Sequence, residues 1–325
     1  RADEARAELA KAGDRAPYIE DPLIAFVEAL TEGAEKYIDD ARTAAKAGRP
    51  DVALRFYDLA TSIEPDNTAV LVEMGNLQGS TGDLDGALLT FARVLSQQPE
   101  NAEAAYFVGA ILEQKGEQAE ADRYYARALE TRPELVQPRM LLANSLMRQR
   151  QFDDAAEHYS QVIRQLPEET EVQYLLGLAW LAGGQCELAH QSLLRALKLS
   201  EGDADILVAL ARAYSTCPDA TAEQRQQALD AAEARYGASP GLDEAETLAM
   251  ACAANGRFED AVDFQTQAIF EALKEGDTSR ADWHKANLAR YEQQQPAVEP
   301  WPLSDPVYYP RPLAPPAPAA SGAGR

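Results

Sequence analysis

Three histidines, three cysteines and a surplus of carboxylates are the side chains here that could do chemistry. His158 and His190 lie 32 residues apart on equivalent segments, close enough in register to be spatial neighbours, while His284 stands by itself. Neither of the first two carries a second ligand at i+4, and no CxxC or CxxCH occurs. Metal or haem attachment therefore has no support, and each histidine reads as a lone helix-surface residue. Cys186, Cys217 and Cys252 are odd in number and scattered, which is not a disulfide framework; they read as small buried hydrophobes with ordinary thiols. Carboxylate pairs such as Asp39–Asp40 and Asp153–Asp154 abound, as they must in any strongly acidic chain. They suit solvated faces or helix starts, where Asp complements the helix dipole. With no GxGxxG after a strand, no phosphate-binding loop and no GxSxG, the expectation is a protein without a catalytic site, cofactor or metal.

The 325 residues carry a net charge of −23 and are 46% hydrophobic, with alanine dominating the apolar set. Phosphate backbones need Lys and Arg, so nucleic acid is excluded as a partner, as is electrostatic docking on anionic membranes. The charge permits a basic or metal-bearing protein partner. No run of 18 apolar residues is present, so no membrane insertion is expected. The chain starts at Arg1. Read as a processed start, that leans towards export to the bacterial periplasm or cell surface, with the cytoplasm as the other reading.

The elements that must position any functional residue are set by a period. Pro65, Pro99, Pro133 and Pro167 recur at intervals of 34 residues. The unit ending at Pro99 holds Gly75, Gly82, Ala87 and Phe91; the next repeats the pattern with Gly109, Gly116, Ala121, Tyr125, Ala128 and Pro133. A helix–turn–helix period of 34 with small, turn and aromatic residues in one register resembles the tetratricopeptide repeat family. The resemblance implies an all-α fold, a right-handed superhelical solenoid of about seven repeats, and a role in binding proteins. Its closing region, 278–294 with TCPDATAEQ before it, is similar to that of many bacterial members.

On this reading residues 1–33 form an N-terminal segment and capping helix, with one long helix starting at Asp21 and running into the first repeat. The repeats span about 34–67, 68–101, 102–135, 136–169, 170–203, 204–241 and 242–276. Arg150 replaces a turn glycine, Glu201 replaces a closing proline, and the sixth repeat has a lengthened turn. Residues 277–295 are a C-terminal capping helix with Trp283, Leu288 and Tyr291 inward. From Pro296 nine of the last thirty residues are proline, so 296–325 is an extended tail.

In the family, the first helix of each pair lines the inner surface. Its fifth positions here are Ile38, Val72, Tyr106, Met140, Tyr174 and Val208, an apolar row, with Asn76, Asn144, Arg148 and Arg212 beside it. Aromatic and aliphatic anchors among amides suit an extended peptide or partner helix. A carboxylate clamp is not expected, since Val72 and Met140 stand where its first lysine belongs. The tail supplies a second candidate site, Trp301, Tyr308 and Tyr309 in a stiff proline frame, able to dock on its own repeats or on a partner. The functional expectation is a non-enzymatic interaction scaffold or adaptor. Two other readings stay open: the C-terminal region of a larger processed enzyme or cytochrome-type protein, and a self-assembling structural subunit.

Overall fold

The computed structural model describes residues 33–310, apart from 277 and 279 and the side chain at 275. The tail beyond 310 and the capping helix expected before residue 33 lie outside these residues. Fifteen α-helices fill the described chain, with no strand among them. They form two compact units divided after Gly116.

The first unit holds α1 (Ala34–Lys46), α2 (Pro50–Ile63), α3 (Thr68–Ser80), α4 (Leu84–Gln97) and α5 (Ala102–Gln114). Asn67, Asp83 and Asn101 cap three of these helices by accepting a backbone N–H three residues on. Gly75 is required by packing, because a Cβ there would lie 2.8 Å from the Phe91 ring. Gly33, at φ 81°, precedes α1 in a non-helical conformation. The expected helix from Asp21 lies outside the described residues up to Gly33, and at Gly33 its continuity into the first repeat is corrected, since α1 starts anew at Ala34.

The second unit holds α6 (Gln118–Thr131), α7 (Val136–Arg148), α8 (Phe152–Gln165), α9 (Thr170–Ala182), α10 (Cys186–Leu199), α11 (Ala204–Thr216), α12 (Ala222–Ala238), α13 (Leu242–Ala254), α14 (Phe258–Glu275) and α15 (Ala281–Glu292). A 3-10 turn, Pro306–Tyr308, follows α15. Neighbouring helices pack in sequence order through to α15. The residues that close each pair are those the period marks: Ala121, Ala155, Ala189 and Ala261 are fully buried, with Tyr125, Tyr159 and Leu193 filling the larger gaps. The lengthened turn of repeat six ends at a capping box, in which the Thr221 hydroxyl accepts from Gln224 N–H and the Gln224 amide oxygen accepts from Thr221 N–H.

Turn geometry explains the sequence exceptions. Gly184 and Gly256 turn with φ near 77°, and Arg150 takes the same left-handed conformation at φ 61° where a glycine is expected. An L-residue there carries about 1–2 kcal/mol of steric strain.

Two further expectations are corrected. Cys186 and Cys217 form a disulfide, with Cα atoms 5.9 Å apart. Consecutive helices run antiparallel, so the start of α10 meets the end of α11 although 31 residues separate them. Only Cys252 is free, and burial pushes its thiol up to about 11. The inward face of α15 is His284, Asn287 and Tyr291, with Trp283 and Leu288 only half-buried; Tyr291 joins the hydrophobic core while His284 meets Glu246 and Gln265.

Candidate functional site

The A helices of the second unit (α7, α9, α11, α13) and α15 carry a seat for the chain's own tail. Its foundation is three residues spaced 34 apart, Arg212 on α11, Glu246 on α13 and Arg280 before α15. The repeat brings this one position together, as a ladder of alternating charge. The Arg212 guanidinium, wholly buried, lies 2.9 Å from Glu246 Oε2 and donates to Thr247 Oγ1 at 2.8 Å and to the Asp243 carbonyl at 3.1 Å. Arg280 lies 3.3 Å from the same Glu246 oxygen and 3.1 Å from the Asp243 carboxylate. His284 Nδ1 sits 2.7 Å from Glu246 Oε1. Burial alone would push the Glu246 carboxyl up, but Arg212, His284 and Arg280 outweigh it and hold it below the usual carboxylate range. His284 is 2% exposed, so its reading as a lone surface histidine is corrected.

The tail crosses this foundation. Arg212 donates to the Pro300 carbonyl at 3.1 Å, and its guanidinium stacks 4.8 Å from the Trp301 ring. Trp301 in turn meets Tyr308 edge-on, centroids 6.1 Å apart, and Tyr308 packs against Phe152 at 5.7 Å. Between the two rings Asp305 reaches Arg280 at 3.3 Å and caps the 3-10 turn by accepting from Val307 N–H. Burial raises the Asp305 carboxyl; the Val307 N–H and the arginines only partly offset it. Further along, Arg148 donates to the Pro310 carbonyl at 3.3 Å and Arg150 Nε to the Tyr309 hydroxyl at 3.3 Å. The strained turn residue thus points its side chain at the tail. Trp301 and Tyr308 are 6% and 1% exposed, while Tyr309 is only half-buried.

The residues expected along the inner row divide between several environments. In the second unit Arg148 and Arg212 touch the tail, and α9, which carries the half-buried Tyr174, packs on the 3-10 turn. Met140 is buried in the core, and Asn144 accepts the Tyr159 hydroxyl at 2.6 Å, so both serve their own helix pair. Val208 borders a recess of about 10 Å³ with Leu207, Ala211 and Thr247, room for no more than a single water. In the first unit Ile38 and Val72 are buried, and Tyr106 is half-buried with its phenol pushed up to about 12 by burial and by Glu113. Asn76 Oδ1 is buried without a hydrogen-bond partner among the described residues. Sequence reasoning missed Glu246, Arg280 and Asp305, although 212, 246 and 280 share one register.

His158, near the Arg139 guanidinium, and His190, edge-on to Tyr214 at 4.7 Å, both have their pKa lowered chiefly by burial. Asp219 lies within 4.8 Å of both disulfide sulfurs, but the bond between them leaves neither as a thiolate ligand.

Family models of the tetratricopeptide repeat match residues 44–111, 102–135 and 140–204. The chain is a multi-repeat tetratricopeptide protein. No curated protein matches this tetratricopeptide sequence. Among solved structures it is similar to the MamA protein, at 22% identity over 52% of this chain and 92% of that one, with a TM-score of 0.47. It is also similar to YrrB, described as a TPR protein with an unusual peptide-binding site, at 23% identity over 56% and 94%, TM-score 0.47. A tetratricopeptide repeat protein from Parabacteroides merdae is 16% identical over 80% of this chain and 98% of its own, TM-score 0.48.

Proposed function

We propose that this tetratricopeptide protein is a non-enzymatic interaction scaffold that holds a protein partner along its A-helix faces. The supporting observation is that the second unit already seats an extended aromatic segment, residues 297–310, on α7, α9, α11, the start of α8 and Arg280 ahead of α15. A surface that can bury Trp301 and Tyr308 and receive main-chain carbonyls on arginines has what peptide recognition requires: aromatic pockets and donors for the backbone. In the first unit, the half-buried Asn76 and Tyr106 offer a second stretch for the same purpose. The Cys186–Cys217 disulfide supports residence in an oxidising compartment, where such bonds persist.

The test is cross-linking mass spectrometry on a protein captured from native extract by the full chain. Cross-links to α3, α5, α9 and α11 are the expected result. A partner linked only to the B helices, or a turnover activity in the purified chain, would overturn the reading.

A further inference from the structure

The tail does more than fill a face; it states what the face selects. Three side chains carry its docking: Trp301 against the Arg212 guanidinium, Asp305 against Arg280, and Tyr308 between Trp301 and Phe152. Their spacing is Trp-x3-Asp-x2-Tyr, and the 3-10 turn capped by Asp305 sets the two rings on one side. The attachment is made by side chains. Among the described residues no backbone–backbone hydrogen bond joins residues 299–310 to the helices; their own N–H groups bond within the tail, Asp305 to Pro302, Tyr308 to Asp305 and Tyr309 to Pro306. A segment held without a strand or helix ladder can leave as a unit and be replaced by another with the same anchors. Charge agrees: in a chain of net charge −23, Arg148, Arg150, Arg212 and Arg280 all reach the tail from this face.

We propose that the A-helix face of the second unit is a receptor for extended, proline-containing segments of partner proteins that carry a Trp-x3-Asp-x2-Tyr triad, and that residues 297–310 occupy it in cis until such a segment displaces them. This rests on the scaffold reading and specifies the partner's chemistry. Asp305 is the selective element, since a segment with the two rings but no carboxylate would lose its ion pair with Arg280 and the cap of its own 3-10 turn. The Arg150 side chain, held out by a left-handed turn, adds a contact to an aromatic hydroxyl after the triad.

The test uses a fluorescein-labelled peptide of sequence AVEPWPLSDPVYYP and a control with its Trp, Asp and Tyr of the triad changed to alanine. Both are titrated by anisotropy into the full wild-type chain and a full-chain Trp301→Ala/Tyr308→Ala variant, whose own tail has lost its anchors. The triad peptide is expected to bind the variant at least about 100-fold more tightly than the wild type, in which a docked tail reduces the competent fraction. The control peptide is expected to bind neither. Tyr308→Ala alone, which keeps the Trp301–Arg212 contact, gives an intermediate affinity and covers the case in which the double variant loses helicity. Equal binding of triad and control peptides overturns the proposal, as does no binding to variants of unchanged circular dichroism. If the peptide fails while an extract partner still cross-links to the A helices, only the triad is wrong. If the peptide binds and no protein partner links there, the scaffold reading falls instead.

Discussion

Replacing Trp301 by alanine removes the largest side chain of the tail from a site where 6% of it is exposed. A tryptophan buries about 150–250 Å², so at about 25 cal/mol per Å² the ring contributes about 4–6 kcal/mol. Aromatic-to-alanine changes in packed sites cost about 3–5 kcal/mol, and the lost stack on Arg212 falls within that range. Arg212 itself keeps Glu246, Thr247 and the Asp243 carbonyl, so no charge is orphaned and the helices should stay folded. At about 1.4 kcal/mol per decade, the undocked population of the tail should rise about 100- to 3,000-fold, up to the ceiling set by the docking free energy. Chymotrypsin cleavage at Tyr308, followed by intact mass, reads that population when reclosing is faster than cutting. Tyr308 is 1% exposed, so the wild-type rate should be slow. A change in rate below about threefold, with circular dichroism unaltered, would refute the idea that Trp301 holds the tail.

The remaining predictions concern the frame of the site. Arg150→Gly should relieve the left-handed turn and raise the melting temperature of the second unit by about 2–4 °C for each kcal/mol recovered, seen by calorimetry. Glu246 has a depressed folded pKa, so its contribution is present above the ordinary carboxylate range and lost as pH falls through the folded value. Glu246→Gln should therefore flatten the acid limb of a melting-versus-pH curve, while costing about 3–5 kcal/mol at neutral pH because Arg212 loses its buried counter-ion. Removing the disulfide by Cys186→Ser with Cys217→Ser opens a loop of sequence separation 31 and should cost about 3–4 kcal/mol in urea titration, a loss that dithiothreitol reproduces in the wild type alone.

The repeat architecture was legible because each unit solves the same packing problem with the same residues. Ala121, Ala155 and Ala189 must be small where helices close, and Gly184 and Gly256 must turn left-handed. Arg150 was recognisable as an exception from its place in the period, but not its contact with Tyr309, 159 residues away. The tail's aromatics were legible as anchors and Arg212 as a residue beside the inner row; the rest of the seat was not, because Glu246, Arg280 and His284 look like ordinary surface residues until the stacking removes water from them. The 34-residue register shared by Arg212, Glu246 and Arg280 was the one available signal. The disulfide escaped because spacing along the chain does not reveal that α10 and α11 are antiparallel neighbours. Met140 and Asn144 occupied the expected register yet face their own helix pairs, since family position does not say whether a side chain serves the fold or the surface.

The central claim is that the A-helix face of the second unit holds an extended aromatic segment. Placing the photoreactive residue p-benzoylphenylalanine at position 308 of the full chain, irradiating, and mapping the product tests it directly. With α9 packed on the 3-10 turn and Phe152, at the start of α8, 5.7 Å from the Tyr308 ring at the border of that face, links within one chain to α9, with or without Phe152, are the predicted result. Links only between chains, or none to these helices, would contradict it.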